Sequence, residues 1–284
     1  MEQKKQFRVI PKIEIKGQNV VKGIQMEGLR VLADPEELAS FYYKNGADEI
    51  FFTDVVASLY GRNALLNVIS NVSKHLFIPL TVGGGLRSIK DIYNVLRAGA
   101  DKVCINSEAI KNKNFIDEAV KEFGSSTIVV SIEVNIYDND YFVYFNNGKE
   151  KTDLKPKDWI KECIERGAGE ISLFSINKDG TGSGFDFNLI NKIDYNLQVP
   201  LLFGGGAGKK DHFNKFLELD KVDGVTLSSI LHYSAMDKVK FKKKNKTEGN
   251  LNFLHKKQKN LNFEETSIVD IKKKLKKKYN IFLN

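Results

Sequence analysis

Eight short runs of apolar and β-branched residues, each followed by a stretch of helical periodicity, narrow what this chain can become more than any other feature. They are Arg8–Ile15, Glu49–Asp54, Phe77–Val82, Lys102–Asn106, Thr127–Glu133, Glu170–Ser175, Val199–Phe203 and Gly224–Ser228. Strands that alternate with helices pair in parallel. Continuous runs such as Ile128-Val129-Val130-Ser131-Ile132 imply burial on both faces, as in a parallel sheet covered by helices. Eight units closing on themselves make an α/β fold of the (β/α)8 type, the TIM barrel. The competing arrangement is an open doubly wound sheet.

A repeat argues for closure. Glu14 ends the first run and Glu133 the fifth, 119 residues later. Gly83-Gly84-Gly85 returns as Gly204-Gly205-Gly206 after 121 residues, and Asn106-Ser107 is matched by Ser228-Ser229 after 122. Three kinds of feature at nearly one offset describe two half-barrels with matching sites.

The 284 residues, 42% hydrophobic, suit one barrel domain spanning 1–284, with no polar linker near the middle. The net charge of +8 hints at nucleic acid until it is located. Residues 236–284 hold 15 Lys against 5 Asp+Glu, which leaves residues 1–235 with 29 Lys+Arg against 31 Asp+Glu. The basicity belongs to the tail, where a Lys/Asn-rich stretch at about 236–262 reads as a solvated insertion. No apolar run approaches the ~20 residues of a membrane span, and Met1–Phe7 has no apolar core of a secretion signal. Cys104 and Cys163 form no C-x-x-C pair, so neither a disulfide framework nor a zinc site is expected. The expected compartment is the cytoplasm, with neither nucleic acid nor membrane as partner.

The chemistry collects at the C-terminal ends of the strands. Glycine lets the backbone approach an anion and adopt positive φ, and free N–H groups at a following helix start then face a phosphate. Gly205, Gly206, Ser228 and Ser229 fall after strands seven and eight, where barrels often hold phosphate. Gly84, Gly85, Asn106 and Ser107 are their counterparts, and Asp179-Gly180-Thr181-Gly182 adds a polar loop on the same mouth. Two sites across one mouth fit a substrate phosphorylated at both ends; each triplet taken alone is also a plausible tight turn. Glu14 and Glu133 end apolar strands, where a charge is costly unless paired or functional. Opposed carboxyls can divide general acid and general base work, or each can pair with a lysine. Lys22, on the first loop, can be such a partner or can hold a substrate oxygen, and Asp54 is a third acid at the rim. His232 reads as structural, and no His/Cys cluster has metal-ligand spacing. At the strand starts, Arg8, Glu49, Lys102 and Glu170 either close the barrel bottom or form a gated entrance.

The phrases VVKG, DPEELASFYYKNGADEI, TVGGGLRS, RAGADKVCIN, FGSSTIVVSIE, RGAGEISLFSINKDGTGSGFD and GGAGKKDHF resemble the cyclase subunit of imidazole glycerol phosphate synthase, over about Arg8 to Tyr233, and Ser267–Asn284 resembles that family's last helix. The resemblance implies a (β/α)8 barrel that receives ammonia from a glutaminase subunit docked at its bottom, as a heterodimer. Ammonia would pass a gate formed by Arg8, Glu49, Lys102 and Glu170. It would react with a bisphosphorylated ribulosyl aminoimidazole carboxamide nucleotide to give imidazole glycerol phosphate and an aminoimidazole carboxamide ribotide. No redox cofactor or metal is implied. Glu14 and Glu133 stand where the family carries catalytic aspartates, and Gly204 stands where it usually carries serine. One extra methylene, about 1.5 Å, is enough to alter a rate, since ~1 Å of misplacement can cost ~10²-fold. Two alternatives therefore stay open. One is a paralogue supplying ammonia to an amidotransferase of bacterial surface-sugar (amidino-sugar) synthesis; the other is a non-catalytic scaffold that activates its glutaminase.

Overall fold

The computed structural model describes residues 4–56, 63–193, 197–236, 238–239 and 262–282. Most of the expected insertion at 236–262 lies outside them. Eight parallel strands form a closed ring: β1 (Arg8–Lys16), β4 (Ile50–Asp54), β5 (Leu80–Gly83), β6 (Lys102–Ile105), β7 (Ile128–Tyr137), β10 (Glu170–Ser175), β11 (Leu201–Gly204) and β12 (Gly224–Leu227). Pairing of β7 with β10, from Val129↔Glu170 to Val134↔Ser175, and of β12 with β1 completes it. The open sheet is thereby excluded. The third and seventh strands start later than the sequence suggested. Pro79 and Pro200 precede them and cannot donate to a ladder, and Phe77 is 82% exposed.

Two hairpins were not expected. β2 (Asn19–Ile24) and β3 (Glu27–Ala33) continue from β1, and β8 (Asp140–Phe145) with β9 (Glu150–Lys151) continues from β7. They occupy equivalent places in the two halves. The second turns on Asp138 and Asn139, both at positive φ (48° and 62°), a conformation these residues tolerate better than most.

Helices cover the outside of the ring. α1 (Pro35–Lys44) begins with Asp34 accepting from the Glu36 and Glu37 amides, with proline at its first position. α2 (Ile89–Arg97) is capped by Ser88, and the last helix (Ile268–Leu275) by a Ser267/Asp270 capping box. After β11 the chain forms 3-10 turns over Lys210–Leu217 instead of an α-helix. Its buried Phe213 and Phe216 are three apart, the spacing that a 3-10 turn places on one side. Phe216 packs in an aromatic cluster with Phe7, Phe185 and Phe187. Tyr279, after the last helix, packs at a tilt with its ring centroid 4.6 Å from that of Phe7 and donates to the Phe216 carbonyl, tying the C-terminal segment to the start of β1.

Inside the ring, side chains two apart share a face. Arg8, Lys102 and Glu170 start their strands at the bottom, and Glu49 directly precedes β4 there. Ile10, Phe51, Cys104, Val129 and Leu202 form a separate apolar collar above them. Lys12, Ser131 and Phe174 follow, and Glu14 and Glu133 stand near the top.

Candidate active site

The bottom set is a closed ring of alternating charge. Arg8 Nη1 lies 3.0 Å from Glu49 Oε2, and Arg8 Nη2 pairs with Glu170. Lys102 Nζ bridges the same acids at 2.8 and 2.7 Å. Thr81 Oγ1 donates to Glu49 Oε1 at 2.6 Å. Burial pulls the Arg8 guanidinium down, but Glu170 and Glu49 outweigh it and hold its pKa above the ordinary value. All four residues expected here from the sequence meet.

At the mouth, both glycine pairs adopt the backbone that only glycine enters freely. Gly84 and Gly205 have φ of 107° and 97°. A Cβ on Gly84 would lie 2.4 Å from the Asp54 carbonyl oxygen, and one on Gly205 2.5 Å from that of Ser175. Both turns are therefore pressed onto the preceding strand's end in the same manner. The match extends to Asn106 (φ −142°, ψ −85°) and Ser228 (φ −117°, ψ −88°), which precede the short helices α3 (Ser107–Lys111) and α4 (Ser229–Ala235). In the ring order β5 and β6 lie opposite β11 and β12, so the two turns face each other across the mouth.

The hollows beside them differ. Gly84, Gly85, Asn106, Ser107 and Asp54 border a cavity of about 240 Å³ that also takes in Lys12 and Glu133. Asp179, Gly180, Gly205, Gly206, Ser228 and Ser229 border one of about 20 Å³, room for one water. Gly204 could not be serine without displacement. A Cβ there would lie 2.2 Å from Thr226 Oγ1 and 2.8 Å from the Phe174 ring.

The two glutamates are not equivalent. Lys22 stands on β2, not on a loop, and its Nζ is 2.7 and 2.9 Å from the Glu14 oxygens and 2.7 and 2.9 Å from those of Asp179. All three side chains are buried. Burial raises the Glu14 pKa despite Lys22, while Asp179 and Glu14 hold Lys22 protonated against its own burial. Glu14 thus has the ion-pair arrangement that was one of its two readings, and it does not border the larger cavity. Lys22 thus takes the ion-pair role that was one of its two readings, and Asp179, expected as a ligand contact, pairs with it while also bordering the smaller hollow. Glu133 does border the cavity and accepts from the Gly148 amide at 3.1 Å. Burial pushes its pKa up to about 6, against the pull of Lys12, the Gly148 amide and Asn106.

Two further groups are inert. His232 is buried with Tyr42 Oη 2.7 Å from its Nδ1, and burial, then Lys22, bring its pKa down to about 3. Burial pushes the Cys104 thiol up to about 12. Among the described residues no three His, Cys, Asp or Glu side chains are grouped to hold a metal ion, and no helix is long and apolar enough to cross a membrane. Sequence reasoning missed Lys12, a cation facing into the cavity. The signal was its phase: it lies midway in the series Arg8, Ile10, Lys12, Glu14, which all share one strand face.

Comparison with known proteins agrees with this architecture. Residues 8–237 match the family model described as "Histidine biosynthesis protein". A relative from Exiguobacterium sp., named imidazole glycerol phosphate synthase subunit HisF, is 45% identical over 79% of this chain and 88% of its own length. Proteins of the same name from Bacillus cereus (42%, covering 80% of this chain and 90% of the relative) and Campylobacter concisus (44%, covering 85% and 96%) are similarly close. Identity at this level over nearly the whole barrel, together with the paired glycine turns and the bottom charge ring, places the chain in the histidine biosynthesis protein family, among the HisF subunits of imidazole glycerol phosphate synthase.

Proposed function

We propose that this chain is the cyclase subunit of imidazole glycerol phosphate synthase and works in the cytoplasm with a glutaminase subunit. Ammonia made by that partner enters at the bottom through the ring of Arg8, Glu49, Lys102 and Glu170. It reacts in the upper barrel with the bisphosphorylated ribulosyl aminoimidazole carboxamide nucleotide, giving imidazole glycerol phosphate and the aminoimidazole carboxamide ribotide. The Gly84-Gly85 turn with Asn106 and Ser107 takes one phosphate, and the Gly205-Gly206 turn with Ser228 and Ser229 takes the other. The second hollow must widen to admit its phosphate. Asp54 faces the substrate from the rim, and Gly180 borders the second phosphate.

Glu133 carries the reading. It is a buried carboxyl at the cavity wall with a pKa of about 6, suited to exchange protons near neutrality. Glu14 serves differently in this proposal: with Lys22 and Asp179 it fixes the opposite wall. Cyclisation of the bisphosphate substrate with ammonium salt in place of the partner tests the reading. Wild type should turn over, and Glu133→Gln should lose about 10²- to 10⁴-fold in kcat. A wild type that activates its glutaminase but forms no imidazole product would leave only the scaffold role.

A further inference from the structure

Lys12 is a buried cation that makes no direct ion pair, although Glu133 and Glu14 both feel its charge. It is 4% exposed and shares its strand face with Arg8 and Glu14, both of which are neutralised by ion pairs. Among the described residues its own Nζ makes no hydrogen bond and no ion pair within 4.0 Å. It has aromatic faces instead, with the Phe174 ring centroid at 4.0 Å and that of Phe51 at 5.9 Å. Phe174 reaches this place because residue 204 is glycine, whose Cβ would lie 2.8 Å from the ring. A cation–π contact returns about 2 kcal/mol when desolvated, less than the several kcal/mol that burying an ammonium costs. The remaining cost is carried by a side chain that borders the 240 Å³ cavity, alongside Glu133 and the Gly84-Gly85 turn.

We propose that Lys12 is a substrate-binding residue that holds the carbonyl oxygen of a ketose phosphate whose phosphate sits at the Gly84-Gly85 turn. This rests on the reading of the cavity as a substrate site. Its fit is chemical: an ammonium with no direct ion pair seeks an electron-rich oxygen, and the ribulosyl part of the proposed substrate carries a ketone between phosphate and base. During ammonia addition the new C–N bond forms as the C=O π pair moves onto oxygen. That oxygen accumulates negative charge beside Lys12, which keeps its own proton. The proton lost by the added nitrogen reaches the oxygen through Glu133, so ammonia and ketone give a carbinolamine with no other reactant.

Calorimetric titration with D-ribulose 5-phosphate and with inorganic phosphate separates the two ends of the ligand. Wild type should bind the ketose phosphate about tenfold or more tighter than phosphate, the value of one hydrogen bond to a charged donor. Lys12→Met should lose that preference and keep its phosphate affinity within about twofold. At about pH 5, where Glu133 holds its proton, it should also melt no lower than wild type, since a buried charge without an ion pair is gone. If Lys12→Met folds poorly, Lys12→Gln should lose the same preference. Absence of the preference in wild type, its survival in both variants, or equal loss of both ligands would each overturn the proposal. Turnover of the full substrate with ammonium salt reports on the cyclase reading separately. Turnover without the ketose preference sinks Lys12 alone, and the preference without turnover sinks the cyclase alone.

Discussion

At the end of the first barrel strand, Glu14 meets the ammonium of Lys22; at the end of the fifth, 119 residues on, Glu133 meets an amide N–H and open space. The backbones of the two halves match in their glycine turns, in the dihedrals of Asn106 and Ser228, and in the hairpin that follows each carboxylate. The difference comes from what each hairpin carries. Val20 pairs with Ile15 and Lys22 lies two residues beyond it; in the second hairpin Val143 pairs with Val134, and Phe145 lies two residues beyond it. A repeated frame therefore places two acids symmetrically, and one substitution in a hairpin decides which is tied and which is left to titrate. The hollows follow the same division, about 240 Å³ on the Gly84 side and about 20 Å³ on the Gly205 side.

The comparison can be broken most sharply by exchanging charges. In ammonium-driven cyclisation, Glu133→Gln should cost about 10²- to 10⁴-fold in kcat, and Glu14→Gln should cost at least tenfold less than that. Equal losses would mean that the ion pair opens in the working enzyme. Next in size, Lys22→Met strands two buried carboxylates, and denaturant unfolding at neutral pH should show a loss of about 3–5 kcal/mol. Without Lys22 to oppose its burial, Glu14 would hold its proton more tightly folded than unfolded, so acidification should restore part of that loss. Glu14→Gln should be milder, because Asp179 still pairs with Lys22.

The pH dependence of stability sharpens the contrast further. Glu133 has a folded pKa raised from 4.5 to about 6, so it binds its proton more tightly in the native state. Its contribution is complete below about pH 4.5 and is lost as the pH rises through 6, a change of about 2 kcal/mol. Glu133→Gln should flatten that decline in unfolding measured from pH 4 to 8. The smallest effect separates Ser228 from Asn106. Ser228→Ala removes a 2.7 Å hydrogen bond to the Lys12 carbonyl and should cost about 1 kcal/mol. Asn106→Ala should act through Glu133 instead: it removes the side-chain hydrogen bond that holds this carboxyl down, so the Glu133 titration should move higher.

The barrel was legible because strand and helix periods alternate eight times and because the chain repeats itself at one offset. The glycine turns and the bottom ring were legible for a related reason: strand ends fix where they stand, and no side-chain rotamer intervenes. The hairpins were not. Asn19–Ile24 reads as loop because it follows β1 after only two residues, and its pairing is antiparallel in a chain otherwise patterned for parallel strands. Placing Lys22 on a loop hid its capture by Glu14 and Asp179, the latter 157 residues away in sequence. Lys12 escaped because a lysine in a strand is normally taken to face solvent, whereas its phase with Arg8 and Glu14 turns it inward.

Carboxyl ¹³C NMR of glutamate-labelled protein, titrated from pH 3 to 8, measures the inequality of the two acids without substrate or partner. One resonance, absent from Glu133→Gln, should titrate near pH 6 and move higher in Lys12→Met, because Lys12 holds it down. A Glu133 resonance titrating near 4.5, or unmoved when Lys12 is removed, would contradict the division of the two halves into one tied and one working carboxylate.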